Sequence, residues 1–150
     1  MEWSLLAGVI VVLVVVFGRE VRLVQAQGEV AAIRSTLGAL RTALVIDHLQ
    51  KSVASPDAAL ASPATNPFEL LPRRPANYLG EMTAEQLRAG QPGSWVFDPG
   101  CGCVGYLPLY VQGFESPSGD TLVWFRLTGA PGPLQLTAKE SYIWQGSVLD

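Results

Sequence analysis

The first fifty residues constrain the fold most, because an uncharged apolar run passes directly into a charged amphipathic run. Trp3–Phe17 contains no ionisable side chain, and seven of the eight residues in Val9–Val16 are valine or isoleucine. Arg19 to about Val53 then carries charges at intervals along its length. We predict one continuous helix over both runs, with residues 1–18 as a membrane anchor and residues 19–54 as a stem.

The predicted anchor is short for a bilayer. Its fifteen uncharged residues would span about 22 Å as a helix, against a hydrocarbon core of roughly 30 Å. Arg19 and Arg22 can lengthen it, because their side chains reach back to the lipid headgroups. A cleaved signal peptide and a buried core helix stay open as alternatives. The predicted anchor residues are Trp3, Leu5, Leu6, Val9, Ile10, Leu13, Val16 and Phe17.

A narrow apolar stripe follows the stem in alternating steps of three and four residues, the spacing of one helix face. It consists of Leu23, Ala26, Val30, Ile33, Leu37, Leu40 and Leu44. We predict that this stripe packs on the protein's own sheet, with a coiled coil as the alternative. The charges of Glu29, Arg34 and Arg41 are expected to fall off the stripe. Beyond it the pattern widens to Val45, Ile46, Leu49 and Val53, which predicts that this end is covered from more than one side.

The remainder of the chain predicts a loop region followed by a β head. Residues 55–92 are rich in proline and small polar residues, with short helices capped by Asn66 and Thr83. Residues 93–150 alternate turns with β-branched and aromatic runs, which predicts three to four antiparallel strands, one of them resuming at Leu109–Val111. The predicted fold class is α+β: a long helix packed by its C-terminal part across a small antiparallel sheet.

The sequence offers little that points to catalysis. The net charge of −3 gives no basic field for nucleic acid, and His48, the single histidine, is interpreted as a surface or capping residue. Cys101 and Cys103 form a candidate disulfide at an exposed turn, without a basic neighbour that would activate a thiolate. We therefore expect no enzyme, no cofactor and no metal site.

Three short runs in the middle of the chain carry a family resemblance. Asn66-Pro67-Phe68, Pro75 to Glu81 and Pro92 to Asp98, followed by Tyr106, resemble the NP…PxNYxGE…PGxWxFD…Y run that joins stem to sheet in pseudopilin-like proteins of type II secretion and related pilus systems. The likeness in layout covers about residues 1–110, and the motif is confined to residues 66–106. We interpret its residues as packing residues of the head. They are Asn66, Pro67, Pro75, Asn77, Tyr78, Gly80, Gly93, Trp95, Asp98 and Tyr106.

The resemblance to type IV pilins and pseudopilins implies a structural or minor subunit of a type II secretion or type IV pilus-type assembly. It implies a single pass through the bacterial inner membrane with a periplasmic head, although Arg19 and Arg22 favour the opposite orientation. The implied partners are other pilin-like subunits or secretion-system membrane components and the lipid bilayer, without nucleic acid or a small-molecule substrate. The expected subunit contacts are Glu2, Ala7, Gly8, Leu23, Val30 and Ile33.

Two departures from the family pattern concern the start of the chain. Pilins are cut after a glycine and carry a glutamate at the fifth position. Here there is no basic leader or glycine–phenylalanine junction, position five is Leu5, and the acidic residue near the start is Glu2. We expect processing and polymerisation to differ accordingly. The alternative function is a membrane-anchored periplasmic binding or adaptor module that does not polymerise.

Overall fold

A single helix, α1 (Glu2–Ala54), covers both the predicted anchor and the predicted stem. The computed structural model describes residues 2–54, 65–129 and 132–150, so residues 55–64 of the predicted loop lie outside the described part. With 53 residues at 1.5 Å each, α1 is about 80 Å long. The prediction of one long helix is confirmed.

Eight strands form two sheets within the described residues. The strands are β1 (Tyr78–Glu81), β2 (Ser94–Asp98), β3 (Cys103–Leu107), β4 (Phe114–Glu115), β5 (Val123–Thr128), β6 (Gln135–Ala138), β7 (Tyr142–Trp144) and β8 (Ser147–Leu149). The larger sheet has the order β1-β2-β3-β5-β6, and the smaller has the order β4-β7-β8. A 3₁₀ helix (Pro67–Leu70) follows the Asn66 cap, and α2 (Ala84–Arg88) follows the Thr83 cap, as predicted.

The larger sheet has more strands than predicted, and it contains both parallel and antiparallel pairs. β1 pairs with β2 in parallel, whereas the other pairs are antiparallel. Parallel neighbours need a crossover of about a dozen residues, and the connection that carries α2 supplies it. The expectation of three to four strands, all antiparallel, is therefore wrong.

The prediction of a strand at Leu109–Val111 is also wrong. The backbone amides of Leu109 and Tyr110 donate to the side chain of Glu29 on α1 instead of to a neighbouring strand. A strand cannot form where its ladder donors are already used by a carboxylate.

The apolar stripe of α1 forms one side of the main core. Its buried members are Ala26, Val30, Ile33, Leu37, Leu40 and Leu44. From Val30 onwards they belong to the same cluster as Trp95, Phe97, Val104 and Phe125 of the larger sheet. The predicted packing of a long helix on a sheet, in an α+β fold, is thus confirmed. The stripe begins at Ala26, because Leu23 is 44 % exposed.

The end of α1 does not match its prediction. Val45, Ile46, Leu49 and Val53 are between 49 % and 89 % exposed, so this end is not covered from several sides by the described residues.

A second, smaller core lies on the other face of the sheet beneath α2. It is formed by Leu87, Val96, Cys103, Leu122 and Trp124. Gly105 admits Trp124 there, since a Cβ at residue 105 would lie 2.5 Å from the indole ring.

Two arginines fasten α1 to the edges of the sheets. Arg41 donates from Nε and Nη2 to the carbonyl oxygen of Leu136 in β6, at 3.1 and 3.0 Å. Arg34 donates to the carbonyl oxygen of Val148 in β8 at 3.1 Å. Edge carbonyls that would otherwise be free for another strand are thereby bonded to the helix.

Candidate functional site

The first half of α1 presents a surface of large apolar side chains that no described element covers. Within the described part of the chain, no helix is both long and apolar enough to cross a membrane. Trp3 is 87 % exposed. The other exposed apolar residues of this surface are Leu6, Val9, Ile10, Val11, Val12, Leu13, Val14, Val15, Val16 and Phe17. The side chains of Glu2 and Leu5, both predicted functional residues, lie outside the described part.

The predicted subunit contacts divide into accessible and inaccessible residues. Ala7, Gly8 and Leu23 are exposed, and no atom lies within 4 Å of the position that a Cβ on Gly8 would take. Val30 and Ile33 are 5 % and 1 % exposed, because they face the protein's own sheet. They cannot also contact another subunit, so this part of the prediction is wrong.

A buried carboxylate joins α1 to the head. Glu29 is only 8 % exposed. Its Oε1 accepts hydrogen bonds from the Tyr106 hydroxyl at 2.7 Å and the Leu109 amide at 2.6 Å, and its Oε2 accepts one from the Tyr110 amide at 2.8 Å. Burial first, and then the adjacent carboxylate, raise the pKa of Tyr106 well above its usual range. The three donors stand in for the water that Glu29 loses on burial.

The sequence analysis did not predict that Glu29 joins α1 to the head. We expected its charge to fall off the apolar stripe, and that expectation is wrong. Its spacing carried a signal, because it lies three residues after Ala26 and four before Ile33, on the same helix face.

A row of aromatic rings continues from the Glu29 contact across the head. The ring centroids of Tyr106 and Trp95 are 4.6 Å apart, those of Trp95 and Phe68 are 6.2 Å apart, and those of Phe68 and Tyr78 are 4.1 Å apart. Offset aromatic contacts of this kind contribute about 0.5–1.5 kcal/mol each beyond simple burial. Tyr78, Trp95 and Tyr106 of the motif are thus joined through Phe68 into one continuous row of ring contacts.

Polar motif residues close the end of this row. Asn66 accepts from the Phe68 amide, and its Nδ2 donates to the Tyr78 hydroxyl at 2.8 Å and to Glu81 at 3.2 Å. Burial raises the pKa of Tyr78, while the hydrogen bond from Asn66 opposes that shift. Pro67 is buried at the first position of the 3₁₀ helix.

The remaining motif residues shape the turns around β1 and β2. Asn77 donates to the carbonyl oxygen of Gly93 at 2.6 Å, and its own carbonyl accepts from the Trp95 amide. Gly80 and Gly93 have φ angles of +105° and +81°, which side chains disfavour. The carbonyl of Pro75 and the carboxylate of Asp98 each accept a backbone amide, from Tyr78 and Gly100. All of these contacts are consistent with a packing role for the motif.

Cys101 and Cys103 are joined by a disulfide. The two residues are not both exposed as we expected, because Cys103 is 1 % exposed where it begins β3 and packs in the smaller core. Among the described residues, no group of three or more His, Cys, Asp and Glu side chains could hold a metal ion.

The described residues therefore place two features on one helix. An exposed apolar surface lies at one end, and the hydrogen-bonded contact between Glu29 and the head lies further along. Such an arrangement can bury apolar area against lipid or other helices while holding the head at a fixed position. Comparisons with protein-family models, with curated proteins and with solved structures find no match to this chain.

Proposed function

We propose that this chain is a pilin-like structural or minor subunit of a type II secretion or type IV pilus-type assembly. In this proposal the first part of α1 anchors it in the bacterial inner membrane, and the head lies on the periplasmic side. The observation that supports the proposal most is the division of α1 into an exposed apolar part up to Phe17 and a part from Ala26 to Leu44 that is buried against the head.

The size of the exposed surface argues that something covers it. Its ten large side chains from Leu6 to Phe17 are between 53 % and 73 % exposed. Full burial of such a side chain contributes about 1.5–3 kcal/mol, so covering the set would contribute on the order of 10–20 kcal/mol. That is as large as the whole net stability of a typical domain, about 5–15 kcal/mol. Lipid or neighbouring apolar helices provide such cover.

Small residues favour lateral association of the anchor. Helices in lipid associate through close packing at small residues, since lipid chains are as apolar as leucine. Ala7 and Gly8 are adjacent and exposed. They are the contact point that we propose between subunits. The head motif and Glu29 then hold each head in one orientation on its helix.

The second candidate is a membrane-anchored adaptor that does not polymerise. The burial of Val30 and Ile33 favours it, because two residues of the predicted stem contact are used within the protein's own core. The two candidates differ in whether anchors meet in the bilayer.

Cross-linking in membranes tests both. Cells expressing Gly8→Cys or Ile10→Cys are fractionated, and membranes are treated with a mild oxidant. These positions lie about 200° apart around the helix, so Ile10→Cys is a matched control. A dimer from Gly8→Cys alone supports the subunit, and no dimer from either variant supports the adaptor.

Two further measurements complete this test. Recovery of the full chain without detergent in the soluble fraction would contradict both candidates. The mass and N-terminus of the membrane-extracted chain separate a trimmed or methylated subunit from an anchored module with an intact Met1.

A further inference from the structure

The loop that connects β3 to β4, residues 108–113, lies beside the first half of α1 at Gln112 and carries exposed apolar side chains. Leu109 and Val111 are 53 % and 54 % exposed. Apolar side chains exposed at the tip of a loop lower the free energy when they enter an apolar layer. The gain is largest if the backbone is already held in place, because no entropy is then lost in ordering the loop.

Both ends of the 108–113 loop are held. At its start, the amides of Leu109 and Tyr110 donate to the carboxylate of Glu29. At its end, the side chain of Gln145 donates to the carbonyl of Gln112 at 2.6 Å, and the amide of Gln145 donates to the carbonyl of Gly113 at 2.9 Å. The loop therefore presents its side chains in a fixed direction.

The position of the loop along α1 is defined by its contacts. It begins at the level of Glu29, and Gln112 lines a recess of about 490 Å³ together with Arg19, Glu20, Arg22 and Leu23. Ten residues separate Glu29 from Arg19, which is about 15 Å along the helix axis. The loop thus runs along the helix towards its apolar half, and Arg19 lies about 3 Å along the axis from Phe17.

We propose that the 108–113 loop is a second membrane contact, in which Val111, beside Gln112 at the far end of the loop, enters the interfacial layer of the bilayer that holds α1. This inference rests on the proposed membrane anchor. The occupant is lipid because the far end of the loop, at Gln112, lies at the level of Arg19 and Arg22. Their guanidinium groups suit the phosphates of lipid headgroups at the depth where the loop's side chains meet the acyl chains, although Glu20 offsets part of this charge.

Fluorescence quenching in vesicles tests this contact with the full chain. An environment-sensitive thiol label is placed on Val111→Cys, Val148→Cys or Val14→Cys. Because the two cysteines of the chain are joined, the introduced cysteine is the reactive thiol. Val148 is the matched control, since it is also a valine, is 56 % exposed and lies at the level of Arg34. Val14 reports on the anchor.

Each variant is reconstituted into vesicles of phosphatidylcholine and phosphatidylglycerol that contain a nitroxide lipid, placed either near the headgroup or deep in the acyl chains. We expect deep quenching of the Val14 label, and shallow quenching of the Val111 label that exceeds that of the Val148 label by more than about twofold.

The outcomes separate this inference from the proposed function. If the Val14 label is quenched while the Val111 and Val148 labels respond equally, the anchor stands and the second contact is overturned. A Val111 label that is shielded from a water-soluble quencher but not quenched by either lipid would indicate a protein partner and would also overturn it. If the Val14 label is not quenched, both proposals fail together.

Discussion

Glu29 is the residue on which the junction between helix and head depends. Its carboxylate is buried and accepts three hydrogen bonds, two of them from backbone amides of the loop after β3. A buried donor that loses its acceptor costs about 1–3 kcal/mol. Removal of this one side chain therefore affects both the packing of Tyr106 and the path of the loop.

We expect Glu29→Ala to lower the free energy of unfolding by about 2–4 kcal/mol, because it leaves three donors without an acceptor. Glu29→Gln keeps an acceptor and should lose less. The measurement is denaturant unfolding of the purified chain in detergent, followed by tryptophan fluorescence. Glu20→Ala, an exposed glutamate on the same helix, serves as the control and should change stability by less than about 0.5 kcal/mol. Equal effects at both positions would contradict the proposed role of Glu29.

Tyr106 predicts a loss of stability at alkaline pH. Burial and Glu29 raise its pKa in the folded protein above the usual value of 10.0. The unfolded chain therefore releases this proton first, so the stability is complete below pH 10 and is lost as the pH rises above it. Tyr78 and Tyr142, whose pKa values burial also raises, add to the effect.

Tyr106→Phe is expected to be less stable than the unsubstituted chain at neutral pH, because the hydroxyl no longer donates to Glu29. Its stability should fall less steeply with pH, since one titrating group is gone. Unfolding free energies at intervals from about pH 8 to about pH 11 measure this slope. Identical slopes in the two proteins would show that Tyr106 does not carry the dependence.

Local residue patterns predicted the caps well and predicted Glu29 poorly. Asn66 and Thr83 were predicted as caps because a cap bonds to amides two or three residues away, which the sequence displays directly. The partners of Glu29 lie 77 to 81 residues away. A charged residue beside an apolar stripe is usually solvated, and only the fold brings its donors to it.

At the scale of elements, α1 and the central strands follow from periodicity, whereas their neighbours do not. β2, β3 and β5 are rich in aromatic and β-branched residues, the composition that predicts strands. β1 contains a glycine, and β4 and β8 are only two and three residues long, so they carry little local signal. The pairing of β1 depends on the crossover that carries α2. The pairing of β4 and β8 depends on their common partner β7 in the smaller sheet.

Glycine substitutions distinguish the two kinds of element. Gly105→Ala is expected to destabilise the head by about 1–3 kcal/mol, because its Cβ would meet the ring of Trp124. Gly38→Ala is the control in α1, where no atom lies within 4 Å, and should stabilise the protein by about 0.5–1 kcal/mol. Thermal unfolding of the two variants should therefore shift in opposite directions. A stabilised Gly105→Ala protein would show that the smaller core accommodates an additional methyl group beside Trp124.

At the scale of the whole molecule, the core and the exposed apolar surface lie on separate lengths of α1. Core residues of the helix run from Ala26 to Leu44, while the exposed apolar surface that ends at Phe17 lies before them. The core is thus complete without the first part of the chain. The sequence predicted this division from the change in apolar spacing, but it could not predict which stem residues stay accessible.

A chain that starts at Gln25 should therefore fold and stay in solution without detergent, whereas the full chain should require detergent. Size-exclusion chromatography and near-ultraviolet circular dichroism would compare the two. We expect a monomeric peak and an unchanged aromatic spectrum, because the Glu29 contact and the aromatic row are retained. An unfolded shortened chain would indicate that the apolar part of α1 contributes to the head's own stability.

Because α1 is one unbroken helix, a tilt at its first part displaces the head at its other end. Twenty-seven residues separate Phe17 from Leu44, a distance of about 40 Å along the axis. If Phe17 marks the bilayer surface, as we propose, a tilt of about 20° from the membrane normal carries Leu44 sideways by about 14 Å; this is the average tilt of membrane-spanning helices. The head moves with it, because Glu29, Arg34 and Arg41 bind it at three heights on the helix. Under the proposed membrane anchorage, a small rotation at Phe17 therefore becomes a displacement of several side-chain widths at the far end.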